Sequence, residues 1–352
     1  MTAAGDRVVV GLDAGATANN ATVLEVSGRF LVDDLVETPS AVRDGPTVAV
    51  AALAAAFDHV LDLVGVPRSA VAAVGLGTPG PASADGVISS RGSTNFPATA
   101  WHGFDVRKAT EDRLGLPVFY TNDGNAAALY AHQVHFGAEA PRRSSVAAIV
   151  GTGLGGGVIE AGRVVRGATG AAGELGHLQI PMDGLLGDDQ QVPVCNCGLA
   201  GDVESVASLT GIEHNLLPYW LQRYPDHELA HRVGVTANAA AKLVRGYGEA
   251  GDEMACQIFT QQAIALGRLF TIAANFVDPS AYFVGGGVVE AERVFREWFV
   301  ATVREHTVLR PEQQAVATVA LVPDLDMAGA RGAALAALAG LGRFAVPVGR
   351  GE

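Results

Sequence analysis

Of the 352 residues, 49% are hydrophobic and 17% charged, and the formal net charge is −13. That supplies one large or two moderate cores, while the acidity argues against a nucleic-acid partner, since the Arg142–Arg143 pair makes no basic patch. Three cysteines are too few for a disulfide framework, and no apolar targeting segment precedes the first strand.

In chain order, "RVVVGLD" and "ATVLEVS" are β-rich runs joined by the turn-like "AGATANN", and "RFLVDDLVET" predicts a third strand. A helix follows from about Thr47 to Val64. It is Ala-rich but interrupted by Asp58 and Asp62, so it does not read as a membrane span, and a cytoplasmic protein is expected. "AVAAVGLGTPG" is a buried strand ending in a turn; next come a helix near 105–114, the strand "PVFYT", and a helix from about Gly124 to Phe136. A second set opens with the strand "SSVAAIVGTG" and the hairpin pattern "GGGVIEAGRVVRG". Helical segments run from 205 onward, "YFVGGGV" is a late strand, and "GARGAALAAL" closes the chain as a helix. Each set begins with a strand and a tight turn, which predicts a duplicated α/β layout with a boundary near 124–144. The expected division is 1–124 and 125–326, with a terminal helix of about 327–342 returning to the first unit. Residues 214–250 read as an elaboration of the second.

Four motifs carry chemistry. "GLDAGAT" places Asp13 straight after an apolar strand, with Gly15 and Thr17 in the turn. Such an acid can hold hydrated Mg²⁺ while amides and a hydroxyl face phosphate, although the residues also suit a plain hairpin turn. "IVGTGLGGG" has G-x-G-x-x-G spacing at Gly151, Gly153 and Gly156, but a hairpin follows where a Rossmann loop opens a helix, and no P-loop lysine is present. A second phosphate-cradling turn survives that test. "TNDGNAAA" sets Asn122 and Asp123 before a helix; Asp123 suits an N-cap or a general base. "GAAGELGH" brings Glu174 and His177 within one turn, and "VCNCGLAGDVES" adds Cys195 and Cys197 in C-x-C spacing.

Together these pieces resemble the ROK sugar kinases, the bacterial glucokinase-like branch of the actin/hexokinase superfamily. The stretch "VGTGLGGGVIEAGRVVRGATGAAGELGH" matches the family signature almost throughout, and "CNCGLAGDVES" follows at the family's distance. The resemblance implies a two-domain actin-like ATPase (ribonuclease H-like) α/β fold with an interdomain cleft. It implies ATP-dependent phosphorylation of a sugar with Mg²⁺. Carried over, Asp13, Gly15 and Thr17 contact phosphate and metal. Gly151, Thr152, Gly153 and Gly155 form the second phosphate loop, and Gly285, Gly286 and Gly287 approach the adenosine. Asn95, Asn122, Asp123, Glu174, His177 and Glu204 ring the sugar, with Asp123 as the base. A structural Zn²⁺ falls to His177, Cys195, Cys197 and Asp202, where Asp202 replaces the family's third cysteine and weakens the site. Ala14 and Ala18 also depart from the usual glycine and lysine of the first turn. A homodimer or homotetramer is the family precedent.

The expected acceptor is the primary hydroxyl of a hexose, glucose by default. A sugar-like C7-cyclitol of antibiotic biosynthesis is the alternative, and polyphosphate is a second possible donor. A repressor-type or non-catalytic sugar-binding relative is the rival class. The first phosphate-loop strand starts at Arg7, which leaves no room ahead of it for a helix-turn-helix domain, and Asp123 argues for chemistry.

Overall fold

The structure, a computed structural model, describes residues 8–89, 96, 98–232 and 234–342. Its elements begin with β1 (Val8–Ala14), β2 (Ala18–Glu25), β3 (Glu37–Pro39), α1 (Pro46–Val64), β4 (Val71–Thr78), α2 (Val106–Leu114), β5 (Val118–Asn122) and α3 (Asp123–Phe136). β6 (Ser145–Val150), β7 (Leu154–Glu160), β8 (Arg163–Val164), α4 (Leu209–Gly211), α5 (Leu217–Arg223), α6 (Glu228–His231) and α7 (Ala237–Glu249) follow. The chain ends with α8 (Glu253–Phe276), β9 (Ala281–Gly286), α9 (Arg293–Glu305), α10 (Pro311–Gln314), β10 (Thr318–Leu321) and α11 (Leu325–Gly340).

Two compact units emerge. The first takes the described residues up to Ser144, then Gly157–Gly173, then those from Val322; the second takes Ser145–Gly156 and Glu174–Leu321. The division thus falls after α3 rather than at 124/125, because α3 lies against α11 and strand β5 within the first unit.

The first sheet has the order β3-β2-β1-β4-β5. β1 pairs antiparallel with β2 and parallel with β4, which pairs parallel with β5. Alternation divides its faces. Val8, Val10 and Leu12 of β1, with Val74 and Leu76 of β4, pack on Leu53, Phe57 and Val60 of α1. By length and composition α1 is apolar enough to cross a membrane; here Leu53, Phe57 and Val60 are instead buried in this core. The opposite face carries Gly11, Gly75 and Gly77. A Cβ on Gly11 would lie 2.0 Å from the Ala330 carbonyl oxygen, and one on Gly75 1.9 Å from that of Ala333. Glycine on the strands and alanine on α11 let helix and sheet backbones touch.

The predicted third strand is corrected. "RFLVDDLVET" gives a single bridge at Phe30 and a strand only from Glu37 to Pro39. The carbonyls of Val32 and Asp33 accept from the buried Arg331 guanidinium at 3.2 and 3.1 Å instead of joining a ladder. Arg331 also donates to the Tyr130 hydroxyl at 2.7 Å and pairs with Asp324. A buried cation needs such acceptors; among the described residues only its Nε is left without one.

The second sheet has the order β10-β9-β6-β7-β8; β6, β9 and β10 count with the second unit, while β8 and the end of β7 count with the first. Read from its other edge it repeats the first: β8-β7-β6-β9-β10 against β3-β2-β1-β4-β5. Ala161 and Gly162, both at positive φ, make the two-residue turn between β7 and β8. α8 covers this sheet with Phe270 5.1 Å from Tyr282, and Phe259 stacks edge-on to Phe295 of α9. β10, absent from the sequence reading, is a short, mostly half-exposed strand parallel to β9. The 214–250 elaboration is helical, built from a π-turn at Ile212–Leu216, then α5, α6 and α7.

Candidate functional site

Parallel strands end at one edge of a sheet, so β1, β4 and β5 deliver their C-terminal residues together. Asp13 is registered with Gly77, and Thr78 with Asn122, which puts Asp13 and Asp123 at this edge of the first unit. Asn122 caps α3: its Oδ1 accepts from the Gly124 and Asn125 amides at 2.9 and 3.3 Å. Capping therefore belongs to Asn122, not to Asp123 as the simpler sequence reading had it. Asp123 opens the helix, where its carboxylate meets the positive end of the helix dipole and accepts from the Gly124 amide at 2.7 Å.

The Asp13 carboxyl is wedged between glycines. A Cβ on Gly329 of α11 would lie 2.3 Å from its Oδ2, and one on Gly77 would lie 3.4 Å from Oδ1. Burial, and secondarily the charge of Asp123, pushes its pKa up to about 7. Opposite Asp13 in the ladder, Asn20 donates to the Asp326 carbonyl at 3.2 Å, while its Oδ1 is buried with no hydrogen-bond partner among the described residues. Two mutually repelling carboxylates and an orphaned oxygen are a donor set that suits a hydrated Mg²⁺. Gly15 and Thr17 form the hairpin turn between β1 and β2, where the Gly15 amide donates to the Ala18 carbonyl at 2.8 Å and Thr17 is exposed. The turn expected to meet phosphate is thus a hairpin turn. Asn95 lies outside the described residues.

In the second unit the turn at Gly151, Thr152 and Gly153 joins β6 to β7 and opens no helix. It closes on itself through the Gly151 amide and the Gly153 carbonyl at 2.9 Å. The Leu209 and Thr210 amides anchor it through the carbonyls of Gly151 and Thr152, at 3.0 and 3.1 Å. Gly155 is an exposed β7 residue just beyond it. Glu204, expected beside the sugar, braces this turn: the Leu154 amide donates to its Oε2 at 2.8 Å and the Cys195 thiol to its Oε1 at 3.2 Å. A Cβ on Gly153 would meet Oε2 at 2.5 Å. Gly286, at φ +91, ends β9 so close to β6 that a Cβ would lie 2.0 Å from the Val150 carbonyl oxygen. Gly285 precedes it in the buried strand, and the carbonyl of Gly287 accepts from Arg245 of α7 at 2.6 Å.

Glu174 is exposed and stands at the start of the short helical turn Leu175–His177, its side chain making no capping bond. That turn swings the His177 ring onto the cysteine loop, where His177, Cys195, Cys197 and Asp202 converge, their ligand atoms all within 4.8 Å of one another. His177 Nδ1 is 3.2 Å from Asp202 Oδ2, 3.6 Å from Cys197 Sγ and 3.9 Å from Cys195 Sγ, and Cys197 Sγ is 3.9 Å from Asp202 Oδ2. The edges of a tetrahedron with zinc–ligand bonds of ordinary length are about 3.3–3.8 Å. The four groups therefore fit a zinc ion, with the fully buried Asp202 as the oxygen ligand. Its other oxygen accepts from the Ser205 amide at 2.9 Å, an outer-shell bond that orients the carboxylate. In the metal-free state the Asp202 hydrogen bond pushes His177 up to about 9. Burial raises Asp202, but the bonds from His177 and Ser205 outweigh it and leave its pKa below the usual range.

Sequence reading missed Asn20, Gly77 and Gly329. Their only cue is negative: a glycine on the strand face that should carry a side chain, and a glycine in the first turn of an Ala-rich helix. It also missed Arg331, which stands inside a run of small residues and is 3% exposed.

The ROK family profile matches residues 9–339. A glucokinase of Halalkalibacterium halodurans is 30% identical over 81% of this chain and 82% of its own length. An N-acetyl-D-glucosamine kinase of Vibrio vulnificus is 31% identical over 82% of this chain and 86% of its own. The crystal structure of a ROK family glucokinase from Streptomyces griseus in complex with glucose and AMPPNP is similar at a TM-score of 0.68 and 29% identity, covering 94% of this chain and 99% of that one. The two-sheet α/β architecture is that of the actin-like ATPase fold, and the chain belongs to the ROK family of sugar kinases.

Proposed function

We propose that the chain transfers the γ-phosphoryl group of ATP to the primary hydroxyl of a hexose, with Asp123 as general base. One observation carries the reading: Asp13 and Asp123 share a strand-end edge, and burial, with the charge of Asp123 second, holds Asp13 near pKa 7. Such a pair is costly in a resting protein and suited to a substrate that arrives with a metal. Asp123 accepts the hydroxyl proton as the oxygen bonds to phosphorus and the bond to ADP breaks; positioning and charge neutralisation supply the rest. Mg²⁺, held through Asp13 and the nucleotide's phosphates, would neutralise charge on the transferring group. The turns at Gly15–Thr17 and at Gly151–Gly153 with Gly155 are assigned to phosphates, and Gly285–Gly287 to the adenosine. Asn95, Asn122, Glu174 and His177 are assigned to the sugar. Glu204 is assigned a bracing role in the nucleotide turn, with any sugar contact requiring release of one of its present partners.

Zn²⁺ on His177, Cys195, Cys197 and Asp202 would fix the loop carrying Glu204, a structural role. A cytoplasmic location accords with ATP as donor and with three free cysteines.

Glucose is the default acceptor, and the relatives' names extend the candidates to N-acetylhexosamines. The cyclitol alternative draws no support from them. The test is ADP release from Mg-ATP with glucose, N-acetylglucosamine and N-acetylmannosamine, using Asp123→Asn protein as the blank. Turnover with one of these, lost in the variant, supports the reading. Folded, zinc-containing protein that releases no ADP with any of the three would sink it.

A further inference from the structure

A cavity of about 360 Å³ opens in the first unit, between β5, α3, the β7–β8 hairpin and α11. It belongs to none of the residues assigned above. Gln133, on its wall, stands ten residues along α3 from Asp123 (123 to 133), a rise of about 15 Å. On α11, Leu335 and Ala336 line it, beyond the Gly329 end that meets Asp13.

Its floor is apolar, made by Phe119, Leu129 and Leu335. Its volume falls within the range of small-molecule pockets. Two features make it more than a packing fault. Gln133 is only 6% exposed and lines the cavity. A polar side chain on an otherwise apolar wall gives a ligand group a hydrogen-bond partner that fixes its orientation. The charged lining is also of one sign. Arg163 and Arg166 stand at the exposed rim, and no acidic side chain is among the described lining residues. One Arg166 amino group donates to the Tyr120 carbonyl at 3.1 Å, which fixes that guanidinium at the mouth.

We infer that this cavity is a second small-molecule site, and that it takes a compact amphipathic anion. The ligand carries an aryl or short alkyl body of roughly a dozen heavy atoms, scaled from benzene in a 150 Å³ cavity. Its carboxylate or phosphate meets the arginines, and a donor or acceptor on the body meets Gln133. Arginine forks suit either anion.

The test is calorimetric titration of the whole protein with phenyl phosphate and, separately, with benzoate, both in saturating Mg-AMPPNP so that nucleotide-site binding is blocked. The tighter of the two identifies the anion. Binding should persist under AMPPNP, weaken at least about tenfold in Arg163→Ala/Arg166→Ala, and vanish in Ala336→Phe, which fills the space. The arginine pair is exposed, so that variant should keep its melting temperature even if the filled one misfolds. Affinity unchanged in the arginine variant, loss of binding under AMPPNP, or equal binding of neutral benzyl alcohol would each overturn the inference. None of these readouts depends on turnover, so the site stands or falls apart from the kinase reading.

Discussion

The two units repeat one topology and guard their first turn in opposite ways. In the first, the acid grows from the strand itself: Asp13 sits at the end of β1, under a glycine of α11. In the second, the corresponding turn after β6 is all glycine and threonine, and its carboxylate is borrowed. Glu204 arrives from the cysteine loop 50 residues on and lies under Gly153. Without metal, the borrowed acid accepts from the Leu154 amide and the Cys195 thiol, and the amide bond is the one that persists when zinc takes the thiolate, while Asp13 faces another carboxylate. A carboxylate bonded by a backbone amide braces structure; a buried one facing another carboxylate is raised in pKa and suited to a cation. Repeating a fold thus does not repeat a role.

The largest expected effect lies on the first side of that contrast. Asp123→Asn should lower kcat by roughly 10²–10⁴, the usual contribution of a positioned base, with sugar affinity within a few-fold of wild type by calorimetry. A variant near wild-type turnover breaks the assignment of chemistry to the first unit. Next is the pH dependence of stability in protein free of metal and nucleotide. Asp13 has its pKa raised from 3.8 to about 7 on folding, so the native state holds the proton more tightly than the unfolded chain. Its carboxyl costs nothing below about pH 4, and the cost grows as pH rises towards 7, where it is complete. Asp13→Asn should therefore gain stability over wild type across that window, to at most about 4 kcal/mol, and hold the gain above it. A constant difference from pH 4 to 8 in thermal melts would mean that Asp13 is not strained by its charge.

Paired glycine variants sharpen the comparison. In Gly329→Ala the new methyl displaces the Asp13 carboxyl, and a misplacement of about 1 Å can cost up to about 10²-fold in kcat. In Gly153→Ala the methyl pushes Glu204 off the Leu154 amide, a loss on the order of 1 kcal/mol. It should appear as a several-fold rise in KM for ATP with little change in kcat. Steady-state kinetics separates them: if both variants shift the same parameter, the two carboxylates share a role after all. A metal arm completes the set. Asp202→Ala should release zinc, measured as metal per chain, and its melting temperature should then become insensitive to chelator. Equal zinc content in variant and wild type would remove Asp202 from the ligand set.

Much of this was legible in the chain. Asp13 follows an alternating apolar run, Asn122 and Asp123 stand between a β-branched strand and an Ala-rich helix, and the C-x-C with His177 marks a ligand cluster. Strand and helix periods reveal such positions because they depend only on near neighbours. The errors share one cause, which is competition from distant residues. "RFLVDDLVET" has strand propensity, yet Arg331, some 300 positions away, claims its carbonyls. Glu204 reads as a binding acid until its bonds to Leu154 and Cys195 are seen.

By itself, the sequence determined most of the elements, the duplicated layout and the strand-end acids, because each rests on local pattern or on short spacing; the four-residue metal set came from the family resemblance. Only the tertiary structure decided which carboxylates are satisfied. Hydrogen-bond partners, close helix–sheet contacts through Gly11, Gly75 and Gly329, and the orphaned Asn20 oxygen are products of packing between segments far apart in the chain. The energy of a polar group depends on what surrounds it after folding, and no local pattern encodes that surrounding.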